Sequence, residues 1–98
     1  MGYILENIIY LELLRRGYEV YVGKIKEYEV DFVAKSQNET KYYQVALSVH
    51  DKNTLDRELR PLKSIKDNYS KTILTLDEDM EYDYDGIKII NAREWLLK

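Results

Sequence analysis

The sequence predicts a single α/β domain in which a mixed β-sheet is flanked by helices. Three observations lead to this class. An apolar helix opens the chain, three segments with strand periodicity follow it, and an amphipathic helix separates them from two more strands. Strands joined in sequence form an antiparallel meander, and a helical crossover returns the chain to a parallel strand. We therefore expect the order α-β-β-β-α-β-β-α.

The composition fits one folded unit. The 98 residues include 45% hydrophobic and 34% charged side chains, with one proline and no cysteine. A chain of this length builds a single core. The lack of cysteine excludes disulfides and thiolate metal sites, and it favours a cytoplasmic protein. Glu6, Asn7 and Glu12 interrupt the apolar start, so we expect neither a signal peptide nor a membrane partner.

Residues 3–16 are predicted as the first helix, which Gly17 ends. Apolar residues cover most of its circumference, so we expect more than half of it to be buried. These residues are Ile4, Leu5, Ile8, Ile9, Leu11, Leu13 and Leu14. Glu6 lies in this apolar stripe, with Tyr3, Ile9, Tyr10 and Leu13 at helical spacing. Because an unpaired carboxylate is costly in such surroundings, Glu6 is a candidate functional acid.

Residues 18–24 are predicted as the first strand, and residues 29–48 as a β-hairpin. On its first arm, apolar residues from Tyr28 to Ala34 alternate with Glu29, Asp31, Val33 and Lys35. Side chains of a strand point to opposite faces in turn. Glu29, Asp31 and Lys35 are therefore expected on one face, and the second arm can add Gln44, Ala46 and Ser48 to it. Two acids and an amide would then converge.

Residues 51–66 are predicted as the second helix, with Asp51 or Asn53 as its cap and Pro61 as a kink or break. Its polar side is basic, and we weigh a solvated face against phosphate contact through Arg57, Arg60 and Lys63. Residues 71–76 and 87–90 are predicted as strands, with a turn at Asp85-Gly86 before the latter. Residues 92–97 form a last helical turn that Asn91 caps.

The most acidic stretch of the chain is residues 77–85, in which six of nine side chains are acids. Their alternation resembles a calcium loop, but the sixth position is not glycine and Lys88 stands where the last glutamate belongs. We interpret the stretch as a solvated loop. The remainder of the chain is then net positive, which leaves room for a basic surface and for DNA as a partner.

A helix with Glu6, a strand with Asp31 and a neighbouring strand at residues 44–46 resemble the layout of the PD-(D/E)XK nuclease superfamily, which has a restriction-endonuclease-like fold. More narrowly, four runs resemble the C-terminal domain of a group of bacterial and archaeal P-loop (AAA-type) ATPases. They are residues 2–24, 29–34, 43–46 and 67–77. The narrower resemblance covers nearly the whole chain. It implies that residues 1–98 are one domain of a longer ATPase.

The resemblance assigns roles to particular residues. Glu6 matches the acid of the first helix, and Asp31 matches the metal-binding aspartate. In such nucleases two acids hold Mg²⁺ and a lysine orients the attacking hydroxide. Gln44 stands in place of the second acid and Ala46 in place of the lysine. Lys35, on the predicted face of Asp31, is the candidate replacement for that lysine.

Gln44 supplies no negative charge and Ala46 supplies no amine. The resemblance therefore implies a catalytically degenerate accessory domain that mediates nucleic-acid or protein interaction. Its partner would be its own ATPase module, which would bind ATP, and any metal would be Mg²⁺ held by Glu6, Asp31 and Gln44. Two alternatives stay open. One is an active Mg²⁺-dependent DNA endonuclease or resolvase that uses Lys35. The other is an oligomerisation domain in which an exposed edge strand pairs with a second copy.

Overall fold

The structure is a computed structural model that describes residues 2–78 and 81–98. Its helices are α1 (Gly2–Arg15), α2 (Lys52–Lys63) and α3 (Ala92–Leu97). Its strands are β1 (Glu19–Ile25), β2 (Tyr28–Lys35), β3 (Thr40–Ala46), β4 (Ser70–Thr75), β5 (Glu81–Tyr84) and β6 (Ile87–Asn91). Within the described residues, no helix is long and apolar enough to cross a membrane.

The strands form one mixed sheet in the order β1-β2-β3-β4-β6-β5. β1, β2 and β3 make the expected antiparallel meander, and α2 then crosses to β4, which runs parallel to β3. β6 lies parallel to β4, and β5 pairs antiparallel with β6 at the edge. The predicted fold class, a mixed sheet flanked by helices, is therefore confirmed. The predicted order of elements is incomplete because it lacks β5.

The acidic stretch is only partly the solvated loop that its charge predicts. Asp85 and Gly86 both have positive φ, 52° and 89°, and they close a two-residue hairpin between β5 and β6. Tyr82 and Tyr84 alternate with Asp83 along β5. Charged side chains are common on edge strands because they discourage further pairing. The prediction also covers Asp79 and Met80, which lie outside the described residues.

Asp77, the first acid of that stretch, is buried rather than solvated. Its Oδ2 accepts a hydrogen bond of 2.8 Å from the Val49 amide. Burial alone would raise the pKa of Asp77, but hydrogen bonds from the Val49 amide, Ser48 and Thr75 hold it below its usual range. Its backbone carbonyl also accepts from Asn91 Nδ2 at 2.9 Å. Asp77 thus joins the loop after β3 to the chain after β4 and the end of β6.

The sheet has one apolar cluster on each face. On the first face, α1 contributes Leu5, Ile9 and Leu13, and α3 contributes Ala92 and Trp95. On the second face, α2 contributes Leu59 and Leu62. The Asp51 carboxylate caps α2 by accepting from the Thr54 amide at 3.2 Å. α2 ends at Lys63, two residues after Pro61, so it neither breaks into two pieces nor reaches residue 66.

The strict alternation predicted for β2 is interrupted by a bulge. Tyr21 pairs with Val33 and Gly23 pairs with Val30, so Val22 alone opposes two residues of β2, which are Asp31 and Phe32. Val30 consequently packs in the α2 cluster while Phe32 packs in the α1 cluster. Gly23 makes this possible, because a Cβ there would lie 2.7 Å from Val33 Cγ2.

Candidate functional site

The structure brings Asp31 and Gln44 together at the point where the β2–β3 ladder ends. The last paired residues are Phe32 and Tyr43. Beyond them, Gln44 Oε1 accepts a hydrogen bond of 2.7 Å from the Asp31 amide. Asp31 Oδ2 in turn accepts one of 2.8 Å from the Val45 amide. We call this reciprocal pair the Asp31–Gln44 clasp, since each side chain replaces one backbone hydrogen bond of the opposite strand.

Gln44 is the buried member of the clasp, with 4% of its surface exposed. Its amide nitrogen donates to the Glu58 carbonyl of α2, at a long 3.4 Å. Both ends of the amide are therefore engaged with backbone atoms. This contact ties the clasp to the helix that crosses over the sheet.

Glu58 is a site residue that the sequence analysis missed. It is half-buried, and Asp31 and Glu6 both lie close enough to raise its pKa. Its position carried a signal, because it lies three residues after Leu55 and four before Leu62, on the edge of the apolar line of α2. The sequence predicts a functional partner for Glu6. The groups that lie near it are two more acids, Asp31 and Glu58, rather than a base.

Glu58 and Asp31 have perturbed proton affinities. Burial is the main cause that raises the pKa of Glu58 to about 7, and the charges of Asp31 and Glu6 add to it, while Arg57 opposes it. Burial likewise raises the pKa of Asp31, against the hydrogen bond from Val45, and Glu6 and Glu29 raise it further. Half-buried carboxylates with raised pKa values are typical of functional sites.

Replacing Glu58 by glutamine is expected to stabilise the chain above neutral pH. The folded pKa of about 7 exceeds the reference value of 4.5. The folded chain therefore binds this proton more tightly, and stability falls as pH rises from about 4.5 to about 7. Because Glu58 is partly exposed, we discount the effect to about 1 kcal/mol at pH 8. Thermal unfolding of Glu58→Gln across pH 4 to 8, by about one-unit steps, measures it.

The matched control is Asp56→Asn, which removes an exposed carboxylate from the same helix. Its stability should follow the natural chain at every pH. If Glu58→Gln and the natural chain show parallel pH profiles, Glu58 is not coupled to folding and does not belong to the acid group.

The other predicted nuclease positions do not join the clasp. Lys35 is exposed at the far end of β2, where its Nζ lies 5.8 Å from the centre of the Tyr21 ring. Lys35 lies four positions after Asp31 along the strand, so their Cα atoms are roughly 13 Å apart. Ala46 packs against the α2 cluster. Neither Lys35 nor position 46 therefore supplies the lysine that the resemblance requires beside Asp31.

The basic residues of α2 form a separate surface. Arg57, Arg60 and Lys63 are exposed, and Arg57 donates to Thr54 Oγ1 at 3.3 Å. Lys63 also borders a cleft of about 550 Å³ between the end of α2 and the starts of β4 and β6. The positive charge of the buried Lys71 in this cleft is paired, because its ammonium donates to the Asp67 carboxylate and to two backbone carbonyls. None of the clasp residues lines the cleft.

The arrangement does not fit the Mg²⁺ that the resemblance implies. A hard cation needs several oxygen ligands turned towards one point. Gln44 Oε1 and Asp31 Oδ2 instead accept backbone hydrogen bonds. Across residues 2–78 and 81–98, no three Asp, Glu, His or Cys side chains are grouped so that they could hold a metal ion. The site joins β2 to β3 beyond the end of their ladder, and it brings Asp31, Glu58 and Glu6 near enough for their charges to raise the pKa values of Asp31 and Glu58.

The chain is similar to longer proteins of two distant organisms. It is 45% identical, over 94 residues, to an uncharacterised protein of Haemophilus influenzae, a match that covers 96% of this chain and 23% of that protein. It is 36% identical, over 87 residues, to an uncharacterised protein of Methanocaldococcus jannaschii, covering 80% of this chain and 19% of that protein. No protein-family model and no solved structure matches the chain. It thus spans about a fifth of the length of the curated relatives it matches.

Proposed function

We propose that this chain is a catalytically degenerate PD-(D/E)XK nuclease-like domain, which contributes binding rather than cleavage to a longer protein. The observation that carries the proposal is the Asp31–Gln44 clasp. The two positions that would hold the metal ion bond the backbone of each other's strand instead. A nuclease that has lost its metal can keep this fold, because the same residues now close the gap between β2 and β3.

The loss of charge supports the same proposal. Gln44 supplies no negative charge, and Ala46 supplies no cation to stabilise an attacking hydroxide. Lys35 is too far along β2 to replace it. Two of the components that phosphodiester cleavage requires are thus missing around Asp31.

The length of the relatives supports a role inside a larger protein. In both of them, most of the polypeptide lies outside the segment that this chain matches. Together with the resemblance to ATPase C-terminal domains, this favours a P-loop ATPase module as the covalent partner, and that module would bind ATP. The exposed bases Arg57, Arg60 and Lys63 make DNA the second candidate partner.

The experiment that tests the proposal is DNA cleavage. We expect no Mg²⁺- or Mn²⁺-dependent cleavage of duplex, single-stranded or branched DNA by the natural chain. The double variant Gln44→Glu, Ala46→Lys restores the second acid and the lysine. We expect it to bind the cation, seen as a rise in unfolding temperature on adding Mg²⁺ that the natural chain lacks.

Asp31→Asn is the control in both the natural and the restored backgrounds. Cleavage by the natural chain that disappears in Asp31→Asn would overturn the proposal and make the chain an enzyme. If Glu58→Gln abolished that cleavage as well, Glu58 would be the acid that replaces Gln44. If Mg²⁺ did not raise the unfolding temperature of the restored variant, these two positions would not be relics of a metal site.

A further inference from the structure

The outward side of α1 is more apolar than a solvated helix face should be. Only the inner stripe of Leu5, Ile9 and Leu13 is buried, so the expectation that more than half of the helix is buried is wrong for this chain on its own. Six large apolar or aromatic residues of α1 remain exposed, of which Tyr10 stacks on Phe32. We call the other five the outer face of α1, and they are Tyr3, Ile4, Ile8, Leu11 and Leu14.

The geometry of the outer face is that of a contact surface. Ile4, Ile8 and Leu11 follow the spacing i, i+4, i+7, which places them in one stripe. Tyr3 is 70% exposed, and Ile4 and Leu11 are each 61% exposed. The largest exposed apolar patch of a monomer is typically about 300–600 Å² and is often an interaction site. Single exposed leucines need no explanation, but a stripe of five does.

The outer face is free of charge from Tyr3 to Leu14, and a charged side chain follows at its C-terminal end. Of the charged residues in α1, Glu6 and Glu12 are half-buried, whereas the Arg15 side chain is 72% exposed and pairs with Glu12, its Nη2 lying 2.7 Å from Oε2. Asn7 is the polar residue within the face, and it is exposed. Opposite residues 3–14, a partner surface must therefore be apolar and uncharged, with one hydrogen-bonding group opposite Asn7. A phosphate backbone does not meet this description.

We infer that the outer face of α1 docks against an apolar surface of the longer polypeptide to which this domain belongs. The inference rests on one part of the proposed function, namely that the chain is a domain of a longer protein. The segments of the relatives that this chain does not match make up more than three quarters of their length. Such segments are always near the domain, because they are covalently joined to it.

The area decides between this partner and a second copy of the chain. α1 has 14 residues, so its outer face is about 21 Å long and roughly 11 Å wide, which gives a footprint of roughly 230 Å². That footprint is well short of the roughly 800 Å² per partner that stable complexes between separate chains bury. Contacts between domains of one chain can be as small as about 600 Å² in total. Covalent tethering allows so small a contact to form within one chain, since it supplies a local concentration in the millimolar range.

The test compares α1 in two settings. The first is the 98-residue chain, and the second is the Haemophilus influenzae relative in which this chain replaces the matching segment. Hydrogen exchange of the amides of residues 4–14 is measured in both. We expect exchange in the long protein to be slower by about tenfold or more, because a docked helix opens less often. Equal exchange rates in both settings would overturn the inference.

Substitutions then locate the contact. Ile4→Lys with Leu11→Lys should leave the unfolding temperature of the short chain within a few degrees, because both side chains are exposed. In the long protein the pair should return the exchange of α1 to the rate of the short chain. The milder pair Ile4→Ser with Leu11→Ser serves if the lysines unfold the chain. Tyr21→Lys with Val22→Lys, at exposed apolar positions of β1, is the matched control and should change neither rate.

Sedimentation of the 98-residue chain completes the test. We expect a monomer. If the chain formed a dimer that the double variant Ile4→Lys, Leu11→Lys did not form, the outer face would be the contact with a second copy and the inference would be overturned. DNA cleavage that disappears in Asp31→Asn would refute the proposed function without altering the protection of α1, so the two ideas can fail separately.

Discussion

Replacement of Gln44 by leucine is expected to destabilise the chain by about 2–3 kcal/mol. Leucine has nearly the same volume, so the change leaves packing almost intact. It removes the acceptor of the Asp31 amide, which Gln44 Oε1 holds at 2.7 Å, and the weaker bond to the Glu58 carbonyl. The partly buried backbone amide of Asp31 is then left without an acceptor, which costs its full desolvation energy. Denaturant unfolding of Gln44→Leu measures the loss.

Gln37→Leu is the control for this prediction, because Gln37 is an exposed residue of the β2–β3 loop. The same exchange of amide for leucine there should change stability by less than about 0.5 kcal/mol. If Gln44→Leu were as stable as the natural chain, the clasp would not be needed to close the gap between the strands. The structural role that we give to Gln44 would then be untenable.

The second large effect is expected from Trp95→Ala, at about 4 kcal/mol. Trp95 is buried, and its ring meets Tyr43 edge-on with the ring centres 5.6 Å apart. The Arg16 guanidinium lies 4.2 Å from the centre of the indole, and Arg16 Nη2 donates to the Trp95 carbonyl at 2.9 Å. The substitution removes the side chain that fixes α3 and the end of α1 to the sheet.

A loss of this size should lower the unfolding temperature by at least about 15 °C in a domain of this length. Leu97→Ala in the same helix is the comparison, because Leu97 is 88% exposed and should cost less than about 0.5 kcal/mol. Similar unfolding temperatures for the two variants would mean that α3 does not belong to the core. Tryptophan fluorescence cannot follow Trp95→Ala, so circular dichroism is the suitable probe.

The proposed function implies a domain that is kept for its surfaces rather than for its chemistry. Its half-buried acids carry a cost in stability, since Glu58 holds its proton to about pH 7. Stability gained by removing such acids is typical of functional sites. The predicted gain in Glu58→Gln and the predicted loss in Gln44→Leu therefore distinguish an acid that costs stability from an amide that supplies it.

Local patterns in the sequence were enough to predict most elements of the fold. Alternation predicted β2 and β3, and helical spacing with caps at Asp51 and Asn91 predicted α2 and α3. These signals depend on residues a few positions apart, which is why they survive without tertiary information. The same signals placed Asp31 and Gln44 on adjoining strands. β5 was hidden because its charge predicts a loop, although its residues alternate.

The tertiary structure alone decided what the candidate site is. The bulge opposite Val22 depends on how Gly23 packs against Val30 and Val33 across two strands. The charges of Asp31 and Glu6 act on Glu58 only because α2 crosses over the sheet. Composition determined that α1 is apolar on nearly every side, but only packing shows which side the sheet covers. Contacts between distant parts of the chain fix these features, and no window of neighbouring residues contains that information.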